Sequence, residues 1–394
     1  MSISLTRSNN GLFRLVRSGG SVFSFTRADS IPNGSDTDLT ATTISTSRID
    51  LEWAINSVTE TGHSIERSLD GETFDVLDTV GNGVNTYSDT SCDDGTLYYY
   101  RVRAYRDGYS NYTDIVSATT LIDEYAVVYG AMLTKPSYAD MVIQNEMIKA
   151  LVDGGYFARA ELIDIFASHV VGESLINWAS PGTHNPTLIN SPSWEVYKGY
   201  IGSVGNLINL NFNELSDANI ITANSVCLIV GCLTESQHDA ALVGGWNLAS
   251  GERTFIINRT SSNTVQAACN SSTFYSSANE LSIAHFAISR GSAAGYDRYI
   301  NATKESQNDT PAYLPDIGLY ACGWNVGGSA SACLKRVPYV ILLDYLNETE
   351  VNEVMFIMER YLDHYGNRLG YESPDEDGVV SSHITPTTIY VCES

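Results

Sequence analysis

The feature that most constrains this chain is a run of short strand-like segments between Asp36 and Thr120. Each segment alternates apolar and polar residues, and turn residues separate it from the next. Alternation with a period of two is typical of strands that bury one face. In order, the segments read LTATTIS, RIDLEWAI, HSIERS, FDVLDTV, YYYRVRAY and IVSATT. Strands of this length and spacing predict a two-sheet β-sandwich.

The same alternation predicts the core of the sandwich. Trp53 falls on the buried face of its segment, in phase with Ile49 and Leu51. In the YYYRVRAY segment, Arg101 and Arg103 face outward, and the buried positions are Tyr98, Tyr100, Val102 and Ala104. A further signal is the Asp-Gly pair in SLDGETF, which supplies the positive φ of a tight turn. The buried tryptophan, this turn and the YYYRVRA strand together resemble a fibronectin type III domain over residues 36–120.

Residues 1–35 have a strand pattern of their own. Alternating runs from Ser2 to Arg7, Leu12 to Arg17 and Ser21 to Arg27 are separated by Asn-Asn-Gly and Gly-Gly. Such short strands bury little surface by themselves, so we predict a β anchor that completes its sheet against another chain or its own neighbour. A lightly structured terminus is the alternative. The segment is basic, and the residues predicted to dock on an acidic partner are Arg7, Arg14, Arg17 and Arg27.

A larger region, residues 121–370, combines helices with many strands punctuated by Gly and Asn. Residues 121–135 are typical of a connecting strand or linker. Apolar residues near a 3.6-residue period predict a helix from Tyr138 to Gly154, and a second helix from Arg159 to Phe166. A capping box, Asn347 to Glu350, opens a last helix. The pattern predicts an all-β body with helical flanks.

The order of these elements resembles the concanavalin A-like or laminin G-like jelly rolls in virion proteins of tailed phages, particularly those of Bacteroidetes. The resemblance rests on a helical stretch, ADMVIQNEMIKALVDGGYFARAELIDIFAS, before the strand-rich body, and on a strand that ends at Leu346 before the helix start NETEV. It implies a surface-exposed virion component assembled in the cytoplasm of a bacterial host, and it implies no reaction. The predicted fold class is therefore mainly β, a fibronectin type III sandwich followed by a lectin-like jelly roll with flanking helices and an acidic tail over residues 371–394.

The charge of the chain limits its partners. The 46 Asp and Glu against 22 Lys and Arg give a formal charge of −24, which repels a nucleic-acid backbone or an anionic membrane. No apolar run approaches the roughly 20 residues that cross a bilayer, and the first segment has no signal-peptide core. We therefore predict neither nucleic-acid nor membrane partners. The charge does not exclude neutral glycans as partners.

No pattern in the sequence supports catalysis or metal binding. A glycosidase needs two carboxylates at one bond, and the nearest match, Asp50-Leu51-Glu52, lies in the fibronectin-like segment. The histidines are isolated from one another, G-x-S-x-G is absent, and the seven cysteines include no C-x-x-C pair. Turn chemistry explains the acidic turns at 93–95 and 375–378 better than Ca²⁺ does. We predict no enzyme activity, no catalytic residue, no metal and no cofactor, although carboxylates from separate loops can converge unseen.

A repeated Gly-Trp-Asn triplet is the most suggestive local feature. A tryptophan face can stack on a sugar while a neighbouring asparagine reads hydroxyl groups, so the predicted glycan contacts are Trp246, Asn247, Trp324 and Asn325. Tyr296 and Asp297 form a weaker site of the same kind. The alternative is that both tryptophans pack under hairpins and both asparagines satisfy turns.

These observations predict a virion surface protein, in a capsid decoration, a head fibre or a tail fibre, that adheres to host or mucosal glycans. Its expected partners are other virion proteins, through the N-terminal segment, and further copies of itself in the particle. One alternative is a polysaccharide-degrading hydrolase on the same fold, which requires a pair of carboxylates in a cleft. Another is a purely architectural virion protein with no ligand, and a bacterial surface adhesin is a third.

Overall fold

A computed structural model describes residues 3–7, 12–17, 22–26, 31–311 and 313–371, the first three ranges as backbone strands. The chain divides into two compact units, 1–126 and 127–394. Both are built mainly from antiparallel sheets, which confirms the predicted mainly β fold class. The finer predicted division into four segments stays a prediction.

The first unit contains strands β1 to β10. Their bounds are β1 (Ile3–Arg7), β2 (Leu12–Arg17), β3 (Val22–Thr26), β4 (Thr37–Thr43), β5 (Ile49–Ala54), β6 (Gly62–Ser68), β7 (Asp75–Gly81), β8 (Thr86–Asp89), β9 (Leu97–Tyr105) and β10 (Val116–Thr119). Strands β1, β2 and β3 form a separate antiparallel sheet in that order. Its strands match the alternating runs predicted for the anchor.

The other seven strands of the first unit form a sandwich of two sheets. One sheet has the order β4-β5-β8 and the other β10-β9-β6-β7. This is the strand arrangement of a fibronectin type III-like domain. Strand β8 was not predicted from the sequence, because its Thr-Tyr-Ser-Asp segment is short and polar.

The sandwich core contains the predicted side chains. Trp53 is 2% exposed, and it packs with Ile49, Leu51, Tyr98, Tyr100 and Val102. The ring of Trp53 meets the His63 ring edge-on, with centroids 5.6 Å apart. Arg101 and Arg103 lie on the outer face, as predicted, and both donate to Glu66.

The second unit contains strands β11 to β28. Their bounds are β11 (Ala160–Ile165), β12 (Thr187–Ile189), β13 (Ser193–Glu195), β14 (Gly199–Ile201), β15 (Leu207–Asn213), β16 (Val226–Cys232), β17 (Val243–Trp246), β18 (Arg253–Ile257), β19 (Thr264–Ser271), β20 (Tyr275–Ala278), β21 (Ala284–Ser292), β22 (Gly295–Ile300), β23 (Thr303–Asn308), β24 (Gly318–Ala321), β25 (Gly323–Val326), β26 (Ser329–Ala332), β27 (Arg336–Val337) and β28 (Tyr339–Leu343). The helices of the chain are α1 (Asp123–Ala131), α2 (Tyr138–Asp153), α3 (Glu214–Asp217) and α4 (Glu348–His364).

Two large sheets form the body of the second unit. The first has the order β11-β28-β16-β21-β22-β23, and the second has the order β12-β15-β24-β17-β18-β19-β20, with β25 and β26 attached through β17. A small third sheet joins β13, β14 and β27. The main core takes apolar side chains from both large sheets, among them Leu228 and Phe286 from the first and Leu210 and Ile256 from the second. The body is therefore a two-sheet sandwich, and its closer assignment as a lectin-like jelly roll stays a prediction.

Two expectations for residues 121–166 were wrong. The expected linker contains helix α1, and the expected helix from Arg159 to Phe166 is strand β11. All six residues of β11 are buried. A strand that is covered on both faces loses its two-residue alternation, so a short apolar segment of this kind is easily misread as a helix.

Helices α2 and α4 lie where the sequence predicts, whereas the short helix α3 was not predicted. Ser137 caps α2, whose last residue, Asp153, precedes the C-cap Gly154. Asn347 and Glu350 form the predicted capping box of α4. Within the described ranges, no helix is long and apolar enough to cross a membrane. The six cysteines described, all but Cys392, are buried free thiols.

Candidate functional site

The two Gly-Trp-Asn triplets lie on adjacent strands. Strand β25 pairs with β17 in parallel, with Gly245 opposite Asn325 and Trp246 opposite Val326. Paired residues in a sheet point to the same face, as do residues two apart along a strand. Trp246 and Trp324 therefore share a face, and their ring centroids are 5.7 Å apart. The structure brings together the two tryptophans that the sequence singled out, although on strands rather than in loops.

The glycines of the triplets permit this close strand packing. A Cβ atom on Gly323, whose φ is +157°, would lie 2.4 Å from the carbonyl oxygen of Ser331. A Cβ atom on Gly245 would lie 2.9 Å from Cγ2 of Ile317. A larger residue at Gly323 would displace the backbone at Ser331, and one at Gly245 would displace the Ile317 side chain, so both glycines have a packing role.

The tryptophans belong to an aromatic cluster on the outer face of the larger sheet. Trp324 packs edge-on against Phe255, with centroids 5.0 Å apart, and Phe255 lies 6.1 Å from Phe274. A small hydrophobic cluster of Ala241, Phe255, Ile257 and Ala268 supports Trp324 from below and is separate from the main core. Trp246 and Trp324 are half-buried, whereas Phe274 is 45% exposed and Leu248 is 57% exposed. The cluster thus presents an apolar surface patch on a fixed base.

Arg253 adds a positive charge to this cluster. It pairs with Trp246 across β17 and β18, so its guanidinium carbon lies 4.2 Å from the Trp246 ring centroid and 5.5 Å from that of Phe274. Its Nη2 donates to the carbonyl of Ser272 at 2.6 Å, while its Nε is buried without an acceptor among the described residues. Burial lowers the pKa of this guanidinium. Arg253 was not predicted as a site residue, because only the register of β17 with β18 shows that it faces the tryptophans.

The asparagines of the triplets have a structural role. The Asn247 side-chain oxygen accepts from the backbone amides of Ala249 and Ser250, and its amide donates to the carbonyl of Asp316. The Asn325 amide donates to the carbonyl of Gly318, and its oxygen accepts from the amide of Gly328. Both side chains already bond to backbone groups. The alternative prediction, that these asparagines satisfy turns, therefore describes them better than sugar recognition does.

The weaker pair, Tyr296 and Asp297, does not extend this site. Both lie on β22, in the other large sheet. Tyr296 is 3% exposed, packs in the main core and donates to the carbonyl of Ala267. Asp297 is half-buried, accepts from Ser306 and lies 3.6 Å from Nζ of Lys304. A buried tyrosine cannot stack on a ligand, so the expectation for Tyr296 fails on burial.

The arginines expected to dock on other virion proteins lie in the N-terminal sheet. Arg7 ends β1, and Arg14 and Arg17 lie in β2, where Arg14 pairs with Thr6 and Arg17 with Ile3. Arg27 lies outside the described residues. The structure thus places three of the four on one small sheet, and their docking role stays a prediction.

Two buried carboxyl groups were not singled out in the sequence. Asp164 on β11 is fully buried, neither of its oxygens has a partner within the described residues, and burial raises its pKa well above the usual value. Glu214, at the start of α3, is also fully buried; it accepts from Oγ1 of Thr254 at 2.9 Å, and burial raises its pKa to about 8. In the described ranges, no group of three or more His, Cys, Asp or Glu is arranged to hold a metal.

Glu214 makes the stability of the second unit depend on pH. Its ordinary pKa is 4.5 and its folded pKa is about 8, so in between the folded chain holds a proton that the unfolded chain has lost. Stability therefore falls as pH rises through this window, by about 1.4 kcal/mol per pH unit. Glu214→Gln keeps the acceptor but cannot titrate. In urea unfolding at pH 6 and pH 7.5, we expect the free energy of unfolding of the natural chain to fall relative to that of the variant. Parallel pH profiles would contradict the prediction.

Part of the chain is similar to known structures. No protein-family model and no curated protein matches it. An Fn3-like protein from Clostridium thermocellum is 24% identical over 23% of this chain and 93% of its own, with a TM-score of 0.21. The sixth fibronectin type III domain of a human fibronectin type III domain containing protein 3 is 20% identical over 27% of this chain and 93% of its own, with a TM-score of 0.21.

A third similar structure, the FN1-FN3 domains of chicken CNTN1, is 16% identical and has a TM-score of 0.21. It matches over 28% of this chain, and this chain spans 41% of its length. At these identities and TM-scores, the similar structures do not by themselves establish the fold of this chain. The fibronectin type III-like assignment rests on the strand order of the first unit.

Proposed function

We propose that this chain is a binding protein whose second unit attaches to glycans through the accessible rings of the aromatic cluster, those of Trp246, Trp324 and Phe274, with the buried Phe255 as their support. The observation that carries the proposal is the convergence of the two tryptophans beside the exposed Phe274. The ring centroids of the two tryptophans are 5.7 Å apart. The apolar face of a sugar ring packs on aromatic rings, and a preformed cluster loses little conformational entropy when it binds. Recognition in this proposal comes from the rings and Arg253, and not from the two asparagines.

The setting we propose is the surface of a phage particle. The resemblance of the second unit to virion jelly rolls supports this setting, and the basic N-terminal strands are the proposed contact with other virion proteins. Binding at one aromatic site is weak, so adhesion in this setting comes from many copies on one particle. Mass spectrometry of purified particles checks the setting, because the chain must be among their proteins.

The glycan proposal is tested by the loss of the Trp246 ring. The full chain, displayed in several copies on streptavidin, is applied to an array of neutral and acidic mucin and bacterial capsule glycans. We expect binding to a subset of these glycans, and Trp246→Ala should weaken it by about tenfold or more, as the loss of an aromatic contact at the centre of an interface does.

Trp194→Ala is the matched control. Trp194 is also half-buried; it packs on the main core of the same unit and donates to the carbonyl of Phe166 at 3.0 Å. It lies on β13, in a different sheet from Trp246. We expect this variant to lose stability but keep binding. Equal loss of binding in both variants, or no binding by the natural chain, would count against a glycan site at Trp246.

A further inference from the structure

Arg253 differs from six other arginines of the second unit in having no carboxylate partner among the described residues. The guanidinium groups that form ion pairs with Asp or Glu are those of Arg159, Arg259, Arg290, Arg298, Arg336 and Arg368. Arg253 has no ion pair among the described residues, although acidic residues outnumber basic ones by 46 to 22 in the whole chain. Its hydrogen-bond acceptor in the described part of the chain is the Ser272 carbonyl.

Two donor atoms in the cluster around Arg253 are buried and unpaired among the described residues. Nε of Arg253 and Nε1 of Trp246 are both without a partner in the described ranges. The nearby Asn247 side chain is already bonded to backbone groups. Burying the charge of a guanidinium that has no ion pair is costly, and a negatively charged ligand at the terminal nitrogen atoms of the half-buried Arg253 would offset part of that cost. The missing chemical group at this site is an acceptor with a negative charge.

We infer that the sugar held at this site carries a carboxylate, as a uronic acid does. The inference rests on the proposed glycan function and specifies its ligand. The carboxylate accepts from the guanidinium of Arg253 in a charge-assisted hydrogen bond, while the sugar ring packs on the aromatic rings beside it. A lysine at this position would not serve equally well, because the planar guanidinium of Arg253 also lies over Trp246. Its carbon is 4.2 Å from the Trp246 ring centroid.

The net charge of the chain determines which ligand is suitable for the test. A charge of −24 repels a long anionic polymer, so a short oligomer reports the site with less long-range repulsion. At 0.15 M salt the screening length is about 8 Å, which leaves the direct contact intact and removes most of the distant repulsion. Trigalacturonate and its methyl ester are a matched pair, because they share the same sugar rings and differ in the charge of the carboxyl groups.

The experiment is calorimetric titration of the full chain with both oligomers at 0.15 M salt. We expect the natural chain to bind trigalacturonate about tenfold more tightly than the ester, and Arg253→Gln to remove this difference with little change toward the ester. Arg253→Lys should retain part of the preference. Arg368→Gln makes the same charge change at a side chain that is 75% exposed, and it should leave both affinities unchanged.

The other outcomes separate this inference from the proposed function. Equal affinity of the natural chain for acid and ester overturns the inference while glycan binding stands. Equal weakening toward both oligomers in Arg253→Gln also overturns it, because Arg253 then only supports the rings. If neither oligomer binds while glycans without a carboxylate on the array do, the carboxylate is not the recognised group. If the chain binds no glycan at all, both the proposed function and this inference are wrong.

Discussion

Replacing Arg290 with methionine is expected to destabilise the second unit by about 3–5 kcal/mol. The Arg290 side chain is fully buried, and its Nη2 lies 2.9 Å from Oδ2 of Asp309, which is itself almost buried. Its Nε donates to the carbonyl of Cys269 and its Nη1 to the carbonyl of Asp309. Since β21 and β19 belong to different sheets, the side chain joins the two layers of the sandwich. Methionine fills part of the space but leaves a buried carboxylate without its partner.

Urea unfolding of the full chain measures the change. Arg368→Met is the control, because Arg368 also pairs with an aspartate but is 75% exposed, and its loss should cost less than about 0.5 kcal/mol. The double variant Arg290→Met, Asp309→Leu should recover part of the lost stability, since no unpaired charge remains. A loss no larger than that of the control would show that the pair contributes little to the sandwich.

Replacing Trp53 with alanine is expected to destabilise the first unit by about 3–5 kcal/mol, which is the cost of emptying a large aromatic site in a core. Trp53 is 2% exposed and packs in one cluster with residues of both sheets of the fibronectin-like sandwich. A sandwich of this size has little stability to spare, so a loss of this magnitude unfolds a measurable fraction of it. Hydrogen exchange of the β5, β6 and β9 amides should accelerate accordingly.

Two further variants of the sandwich calibrate this result. Trp53→Phe should be milder, because a ring remains in the cavity. Leu69→Ala removes a side chain that is 67% exposed and should change the free energy of unfolding by less than about 0.5 kcal/mol. If exchange of the core amides in Trp53→Ala matched that in Leu69→Ala, Trp53 would not be the centre of this core.

The segments and side chains that were predicted wrongly have one physical feature in common. Strand β8 was missed because its short polar segment is recognised only by its pairing with β5. Strand β11 was read as a helix because burial on both faces hides the strand period. Tyr296 was placed at the surface, yet its ring lies in the core and its hydroxyl bonds to a backbone carbonyl. In each case the environment of the segment, and not its composition, decides its state.

Local sequence signals predicted the mainly β class, six of the seven strands and the core of the fibronectin-like sandwich, the end of α2 at Gly154, the capping box of α4, and the pair of Gly-Trp-Asn triplets. These follow from local periodicity, turn residues and capping, which act within a few residues of the chain. Only the tertiary structure shows that the two triplets meet, that their asparagines bond to backbone groups, and that Arg253 lies over Trp246 with no carboxylate partner in the described part of the chain. Those facts depend on strand register and on which faces are covered, and both are set by contacts between residues far apart in the chain.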